Sequence, residues 1–497
     1  MVLNRLIVLI ITIFIALGCS EAKEQGMRKS SVAGSFYPGD SLILSQTINQ
    51  LFEQAGMNKH SGTVCGLIAP HAGYTYSGQV AAYSYHILEK SKIKRVIILS
   101  PSHHVYFRGV SVYAGNAYQT PLGVVRVDET FSEKLCRKSP VLQRSTKGHI
   151  NSPNEQPEHA LEVQIPFLQC ALENFTIVPI VMGEQSYETC RTVGHALAEM
   201  IHDDETIIVA SSDLSHYHQY DEAVKMDHGL IQAIQEWDYF NLSRNLRARI
   251  WEACGGGPII TTMIACEYLG ATEARLLKYA NSGDIPGGDK SGVVGYTAMA
   301  LIKNPERNWI PENDFSLNEK DQKELLDLAK ESVEQAVRSK QQPPSETVTS
   351  KKLLTERGAF VTLEIKGQLR GCIGYTAPIL PLYKTVERVA VSAALDDPRF
   401  PAVREEELKN LSYSISVLSP FLHIRNINDI VIGKHGLLIK RGQAEGLLLP
   451  QVATEQGWER VTFLEHTCLK AGLPKDTWKD PACDIFLFSA FVFGEGE

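Results

Sequence analysis

At 497 residues the chain is too long for one ordinary hydrophobic core and long enough for roughly two or three independently folding domains. Apolar residues make up 44% of it, as in a folded globular protein. A formal charge of −8 and the absence of any Lys/Arg run remove the electrostatic footprint of a nucleic-acid binder.

The first twenty residues, "MVLNRLIVLIITIFIALGCS", stand apart. One Arg precedes an apolar run from Leu6 to Leu17, too short to span a ~30 Å hydrocarbon core comfortably, which predicts a signal peptide over residues 1–19. Gly18–Cys19 resembles a bacterial lipobox, although Ala16 stands where that pattern prefers Leu. Cleavage there would leave Cys19 lipidated, with residues 20–27 as a tether, and the protein on the cell envelope through a lipid anchor. The competing readings are an uncleaved anchor and a start at Met27, which would make the protein cytoplasmic. Besides Cys19, the cysteines at 65, 136, 170, 190, 254, 266, 372, 468 and 483 are odd in number and form no C-x-x-C, so no disulfide framework is indicated.

From residue 28 to 302, short Val/Ile-rich runs alternate with helical patterns. "VCGLIAP" (64–70), "RVIILSP" (95–101), "FTIVPIVMG" (175–183) and "TIIVASS" (206–212) are continuous apolar runs ending in Pro, Gly or Ser. Such runs, separated by stretches like "GQVAAYSYHILEKSK", predict buried strands of a mostly parallel α/β sheet flanked by helices. Polar, proline-containing residues 303–316 read as a linker. A second domain, 317–497, opens on a helix whose Ser316 and Glu319 have capping-box spacing; Leu325, Leu328, Ala329, Val333, Ala336 and Val337 can share one of its faces. "GAFVTLEIKGQLRGCIGY" and "LSYSISVLSP" alternate with a period near two and predict strands of an α+β domain.

In the first domain, strand ends deliver polar residues repeatedly. "LIAP" leads to His71, "IILSP" to His103 beside His104, and "IIVASS" to Asp213 and His216. In open parallel sheets the ligand crevice lies at those carboxyl ends, so residues more than 100 positions apart can converge. Each residue alone has an ordinary structural role available, Asp213 as a helix N-cap for instance; the repetition on three strands is what points to a site. Two imidazoles seldom hold a divalent ion unaided. Pattern alone leaves Cys254, Glu252, His159 and Glu162 open as the third ligand, with Gly255–Gly257 favouring Cys254 because glycine permits close backbone approach.

"AGSFYPGD", "APHAGYTYSG", "SPSHHV", "PEHALEVQIPFLQ", "SSDLSH" and "CGGGPI" together resemble the MEMO family over residues 28–302. The resemblance implies a fold similar to class III extradiol dioxygenases and a metal triad at His71, His103 and Cys254. It implies Asp213 and His216 as neighbouring proton-transfer residues, and His159 and Glu162 behind the ligands. A divalent ion is expected, iron foremost, with copper and zinc also compatible with imidazole and thiolate. The thiolate departs from the carboxylate of the related dioxygenases, so ring cleavage is an analogy of fold.

In the second domain, "LRGCIG" places Arg370 and Cys372 on one side of a strand, with Gly371 and Gly374 thinning the backbone; an arginine beside a thiol favours a nucleophile, and Cys372 is the candidate. "GAFVTL", "LRGCIG", "ALDDPRFPAV", "SISVLSP", "GKHGLLI", "GLLLPQVA" and "FLEHTCLKAGLP" resemble the AMMECR1 domain. Asp396, Asp397, Arg399 and His435 are surface-polar candidates near Cys372. The pairing resembles a system that includes a radical SAM protein, and with no C-x-x-x-C-x-x-C here that partner would be a separate chain. The expected function is that of a metal-dependent oxidoreductase-like enzyme acting on a small oxygenated substrate, with His216, oriented by Asp213, as acid or base. The alternatives are a non-catalytic metal- or peptide-binding module and a component of a radical SAM-linked modification system.

Overall fold

The computed structural model describes residues 26–56, 61–89, 91–150, 158–306, 315–339 and 350–495. The expected signal peptide and Cys19 lie outside them, and among the described residues no helix is long and apolar enough to cross a membrane. The chain forms two compact units: the described residues of Met1–Gln235 and Trp251–Trp309, and those of Glu236–Ile250 and Ile310–Glu497. The segment Glu236–Ile250, which the sequence reading runs through the first domain, groups with the second unit: the Glu236 carboxylate accepts Arg357 Nη1 and Nη2 at 3.0 and 2.7 Å.

The first unit is built on a nine-stranded mixed sheet. In chain order its strands are β1 (Thr63–Ala69), β2 (Arg95–Pro101), β3 (Val110–Tyr113), β4 (Leu142–Ser145), β5 (Thr176–Met182), β6 (Thr206–Ser211), β7 (His216–His218), β8 (Glu273–Asn281) and β9 (Val293–Lys303). Their spatial order is β7-β9-β1-β6-β2-β5-β3-β4, with β8 pairing β9. The four expected strands form its parallel centre, β1-β6-β2-β5, with Leu67 opposite Val209, Ile97 opposite Ile208 and Ile98 opposite Pro179. Both faces are covered, which is why these strands carry unbroken apolar runs rather than an alternation. On one face Leu67, Val96, Ile98, Ile207 and Val209 share a core with Ala81 and Tyr85 of helix α1 (Tyr74–His86). The remaining helices used below are α2 (Tyr187–Ala198), α3 (Tyr220–Gln235) and α4 (Gly256–Tyr268).

Helix α4 lies against β1, β2, β6 and α2, buried at every position from Gly256 to Glu267. A helix this apolar and buried on all sides is stable only inside such a sandwich. Gly66 in β1 makes room for it, since a Cβ there would stand 2.6 Å from Cys266 Sγ. Burying each Ile or Leu of this core contributes about 1.5–3 kcal/mol; the result is a rigid base under the carboxyl ends of β1, β6 and β2.

The second unit holds a seven-stranded antiparallel sheet: β10 (Ala359–Ile365), β11 (Gln368–Tyr375), β12 (Leu411–Leu418), β13 (Leu422–Ile424), β14 (His435–Arg441), β15 (Ala444–Leu448) and β16 (Asp484–Gly494), in the order β11-β10-β12-β16-β14-β15 with β13 on β16. Lys366 and Gly367, both at positive φ, close the β10–β11 hairpin, the backbone that a two-residue turn between right-twisted strands requires. Helices α5 (Glu319–Ser339) and α6 (Leu382–Leu395) complete the core, with Leu325, Ala329 and Val333 facing Val386, Val389 and Ala393. The cap of α5 is Asn318, whose Oδ1 accepts the Asp321 N–H at 2.8 Å, rather than Ser316. The helix begins at Glu319, so Ser316 falls too far out to reach it, and its carbonyl accepts from Lys352 instead.

Candidate metal centre

β1 ends at Ala69 and sets His71 just beyond; β2 ends at Pro101 and sets His103 beyond; Cys254 arrives immediately before α4. The ligand-capable atoms of His71, His103 and Cys254 all lie within 4.8 Å of one another. Cys254 Sγ is 3.1 Å from His71 Nε2, and the two imidazoles stand edge-to-face with centroids 5.1 Å apart. Gly255 makes this possible: a Cβ there would meet the Ser211 carbonyl oxygen at 2.2 Å, and its N–H donates to Ser212 Oγ at 2.9 Å, seating the start of α4 on the end of β6.

A further layer of side chains fixes both rings. Glu158 accepts His103 Nδ1 at 3.0 Å and the His103 N–H at 2.7 Å, together with the N–H groups of His159 and Ala160, each at 2.9 Å. Burial alone would raise the Glu158 pKa, but the His103 hydrogen bond and the backbone donors outweigh it and hold the carboxyl well below its usual range. For His103, burial pulls the pKa down and the Glu158 carboxylate more than reverses it, leaving it raised. His71 behaves oppositely. Burial first, then the neighbouring His103, push it well below an ordinary histidine, so it is neutral. Its Nδ1 lies 2.9 Å from Ser211 Oγ, which also donates to the Ala160 carbonyl at 2.6 Å and accepts Gln164 Nε2 at 2.7 Å. Burial, with Asp213 nearby, pushes the Cys254 thiol up. His71 is 2% exposed whereas the His103 side chain is 26% exposed, so the cluster is buried on the His71 side and meets solvent beside His103.

Asp213 follows β6 between the two histidine-bearing strands. Rather than capping a helix, its Oδ1 accepts the N–H groups of His71 (2.7 Å) and Ala72 (3.3 Å), and its own N–H donates to Cys254 Sγ at 3.3 Å. Burial raises its pKa. His216 is oriented by its own turn, Nδ1 donating to the Leu214 carbonyl at 2.8 Å, and not by the Asp213 carboxylate as expected. Its N–H donates to Glu252, which pairs with His218 Nε2 at 3.0 Å and so serves that turn rather than the triad. Glu162 is fully buried and serves structure: it pairs with Arg28 and accepts the Ser31 and Val32 N–H groups and the Tyr37 hydroxyl, tying residues 28–37 to the segment that carries Glu158. His159 stacks on His103 with centroids 4.9 Å apart; His104 is exposed, its ring 6.3 Å from that of His103.

Residues 28–300 match the family model of the Memo-like protein, more than half of the chain. The chain belongs to the Memo-like protein family. Residues 326–493 match the AMMECR1 family. The chain is 38% identical over 281 residues to a MEMO1 family protein of Nitrosopumilus maritimus, covering 56% of this chain and 100% of that one. To a MEMO1 family protein of Methanocaldococcus jannaschii it is 40% identical over 294 residues, covering 56% of this chain and 99% of the relative. An uncharacterized protein of Pyrococcus horikoshii, solved by crystallography, aligns at 37% identity and a TM-score of 0.35, covering 37% of this chain and 95% of that one. Membership of the Memo-like family brings with it the extradiol-dioxygenase-like fold expected from the sequence.

Three residues around this Memo-like centre escaped the sequence reading: Glu158, Ser211 and Gln164. All stand inside quoted motifs, "PEHALEVQ" and "SSDLSH", where adjacent histidines and aspartate drew the attention. A carboxylate next to a histidine in sequence was the available signal.

In the AMMECR1 unit, Cys372 lies on β11 and accepts the Thr362 hydroxyl at 3.3 Å. Gly371 faces a backbone that no side chain would clear, with the Ala393 carbonyl oxygen 2.1 Å from an added Cβ. Arg370 is not the thiol's partner: its Nε and Nη2 bind Glu407 at 2.9 and 3.1 Å. Arg399 stands there instead, donating to the Cys372 carbonyl at 3.1 Å and gripping Asp397, which accepts the Cys372 N–H at 2.8 Å. Asp397 is therefore buried rather than surface-polar, and the Arg399 hydrogen bond holds its carboxyl well below the usual range. Asp396 ends α6, and His435 is on β14, separated from β11 by β10, β12 and β16, so neither joins Cys372.

Proposed function

We propose that the Memo-like unit is a metal-dependent, oxidoreductase-like enzyme holding a divalent ion, iron foremost, on His71 Nε2, His103 Nε2 and Cys254 Sγ, and acting on a small oxygenated substrate. The observation that carries this is the convergence of those three side chains with both histidine Nδ1 atoms already engaged, which aims both Nε2 atoms at the sulfur side. An ion bound there would supply Lewis-acid and one-electron chemistry to an oxygen donor on the open side. His216, its Nδ1–H committed to Leu214, offers an Nε2 lone pair as base. Asp213 sets the His71 backbone. Copper and zinc suit the same donor set.

Metal content after anaerobic purification tests the reading. Loss in both His103→Ala and Cys254→Ala, with retention in His104→Ala, is expected; wild-type content in the first two would refute it. Oxygen uptake over a panel of catechol-type substrates separates enzyme from non-catalytic module, since a loaded but silent site favours the module. The fused AMMECR1 unit supports a second proposal, a separate radical SAM partner chain, tested by co-purification from the native cell. The lipid anchor at Cys19 is likewise proposed, and radioactive palmitate incorporated by wild type but not by Cys19→Ala is its test.

A further inference from the structure

The proton count around Ser211 is closed. Its hydroxyl has one hydrogen, and the Ala160 carbonyl, 2.6 Å away, can only accept, so that hydrogen is spent there. The Gln164 amide is fixed in the same way: its Nε2 faces the Pro70 carbonyl at 3.0 Å, and its Oε1 accepts the Tyr85 hydroxyl at 2.6 Å, so the NH2 side is the one that meets Ser211 at 2.7 Å. Ser211 Oγ thus accepts from Gln164, and its remaining lone pair faces His71 Nδ1 at 2.9 Å. Only a protonated Nδ1 satisfies that contact.

We propose that Ser211 and Gln164 are positioning residues that hold His71 as the Nδ1–H tautomer, so that its Nε2 presents a lone pair toward Cys254. The inference rests on the metal-centre reading above and deepens it. It also makes the two histidines inequivalent: His103 is held by the anionic carboxylate of Glu158, His71 by a neutral hydroxyl whose proton and lone pairs are all committed. A neutral holder fixes ring orientation without adding a charge to a site where His71 is 2% exposed. With its only acceptor removed, buried Nδ1–H is stranded and the ring gains by transferring the proton to Nε2, which blocks the donor atom.

The test uses the full chain, labelled with 15N-histidine and stripped with chelator, in two-bond proton–nitrogen spectra, the His71 signals being those that vanish in His71→Gln. Wild type is expected to show a protonated Nδ1 and a bare Nε2. Ser211→Ala should shift His71 toward the Nε2–H form and raise the Kd for Co2+, followed by its thiolate charge-transfer band, by roughly 10–100-fold. Ser211→Thr, which keeps the hydroxyl, should restore both readouts. Gln164→Met carries the same test if Ser211→Ala does not fold, because Ser211 can then turn its proton and loosen its hold on Nδ1. A wild-type His71 protonated at Nε2 overturns the inference, as does Ser211→Ala with an unchanged tautomer and a Co2+ Kd within twofold of wild type. Wild type that keeps the Nδ1–H tautomer but gives no thiolate band would sink the metal reading while leaving the tautomer assignment standing.

Discussion

Replacing Glu158 by Gln removes one charge and changes one atom from acceptor to donor. The carboxylate takes four N–H groups, from His103 Nδ1, His103 N, His159 N and Ala160 N. Three of them meet Oε1, which the amide oxygen can replace; the His103 N–H meets Oε2, where the amide NH2 would oppose it donor to donor. A stranded buried N–H costs about 1–3 kcal/mol, and losing the charge on the imidazole hydrogen bond about as much again. The sum, about 2–6 kcal/mol, brackets the cost of about 3–5 kcal/mol for removing one partner of a buried pair. For a unit of this size that lowers Tm by roughly 4–24 °C, read by thermal circular dichroism, and metal affinity should fall about 10–100-fold, read by Co2+ titration. The pH profile is a sharper signature. Glu158, its pKa depressed, stabilises above its unfolded value near ~4.3 and loses that contribution as pH falls; His103, its pKa raised, stabilises below its unfolded value near ~6.5 and loses that contribution as pH rises through its folded value. Wild-type stability should therefore crest between those two pH values, and Glu158→Gln should flatten the crest. A variant with Tm within 2 °C of wild type, Co2+ affinity within about twofold and an unchanged pH profile would refute the reasoning.

Two further outcomes are expected. Glu162→Gln should destabilise the first unit by about 3–5 kcal/mol by leaving the buried Arg28 uncompensated, visible as a lowered denaturant midpoint; an unchanged midpoint would show that residues 28–37 are anchored otherwise. Because burial keeps the Cys254 thiol protonated at neutral pH, binding one divalent ion at high pH, where His103 is neutral, should release about one proton, seen by calorimetry in buffers of different ionisation enthalpy, and affinity should fall about tenfold per pH unit of acidification there and more steeply once His103 is also protonated. No proton release would place the sulfur outside the coordination shell.

The parallel centre of the first sheet was legible because its strands are buried on both faces and so declare themselves as unbroken Val/Ile runs; β2 falls on "RVIILSP" residue for residue. The edge strands β4 and β7, and β3 next to β4, are three or four residues long and carry no such signature. His71, His103 and Asp213 were legible from the same logic, since strand ends in a parallel sheet are where side chains meet. Cys254 was reachable only because three glycines follow it, and one of them, Gly255, is required by close contact with Ser211 and Ser212. What the sequence hides is the direction of hydrogen bonds. Arg370 and Cys372 do share a strand, but whether a guanidinium turns to a thiol or to Glu407 depends on a residue 37 positions away. His216 was expected to lean on Asp213, and the nearer carbonyl of Leu214 takes its proton instead.

The central claim is that one ion sits on two imidazoles and one thiolate. X-ray absorption at the metal edge of zinc-loaded protein tests it most directly: one sulfur at about 2.3 Å and two nitrogen scatterers at about 2.0–2.1 Å are expected, with the sulfur lost in Cys254→Ala. A first shell without sulfur in the wild type, or one unchanged in Cys254→Ala, would contradict it.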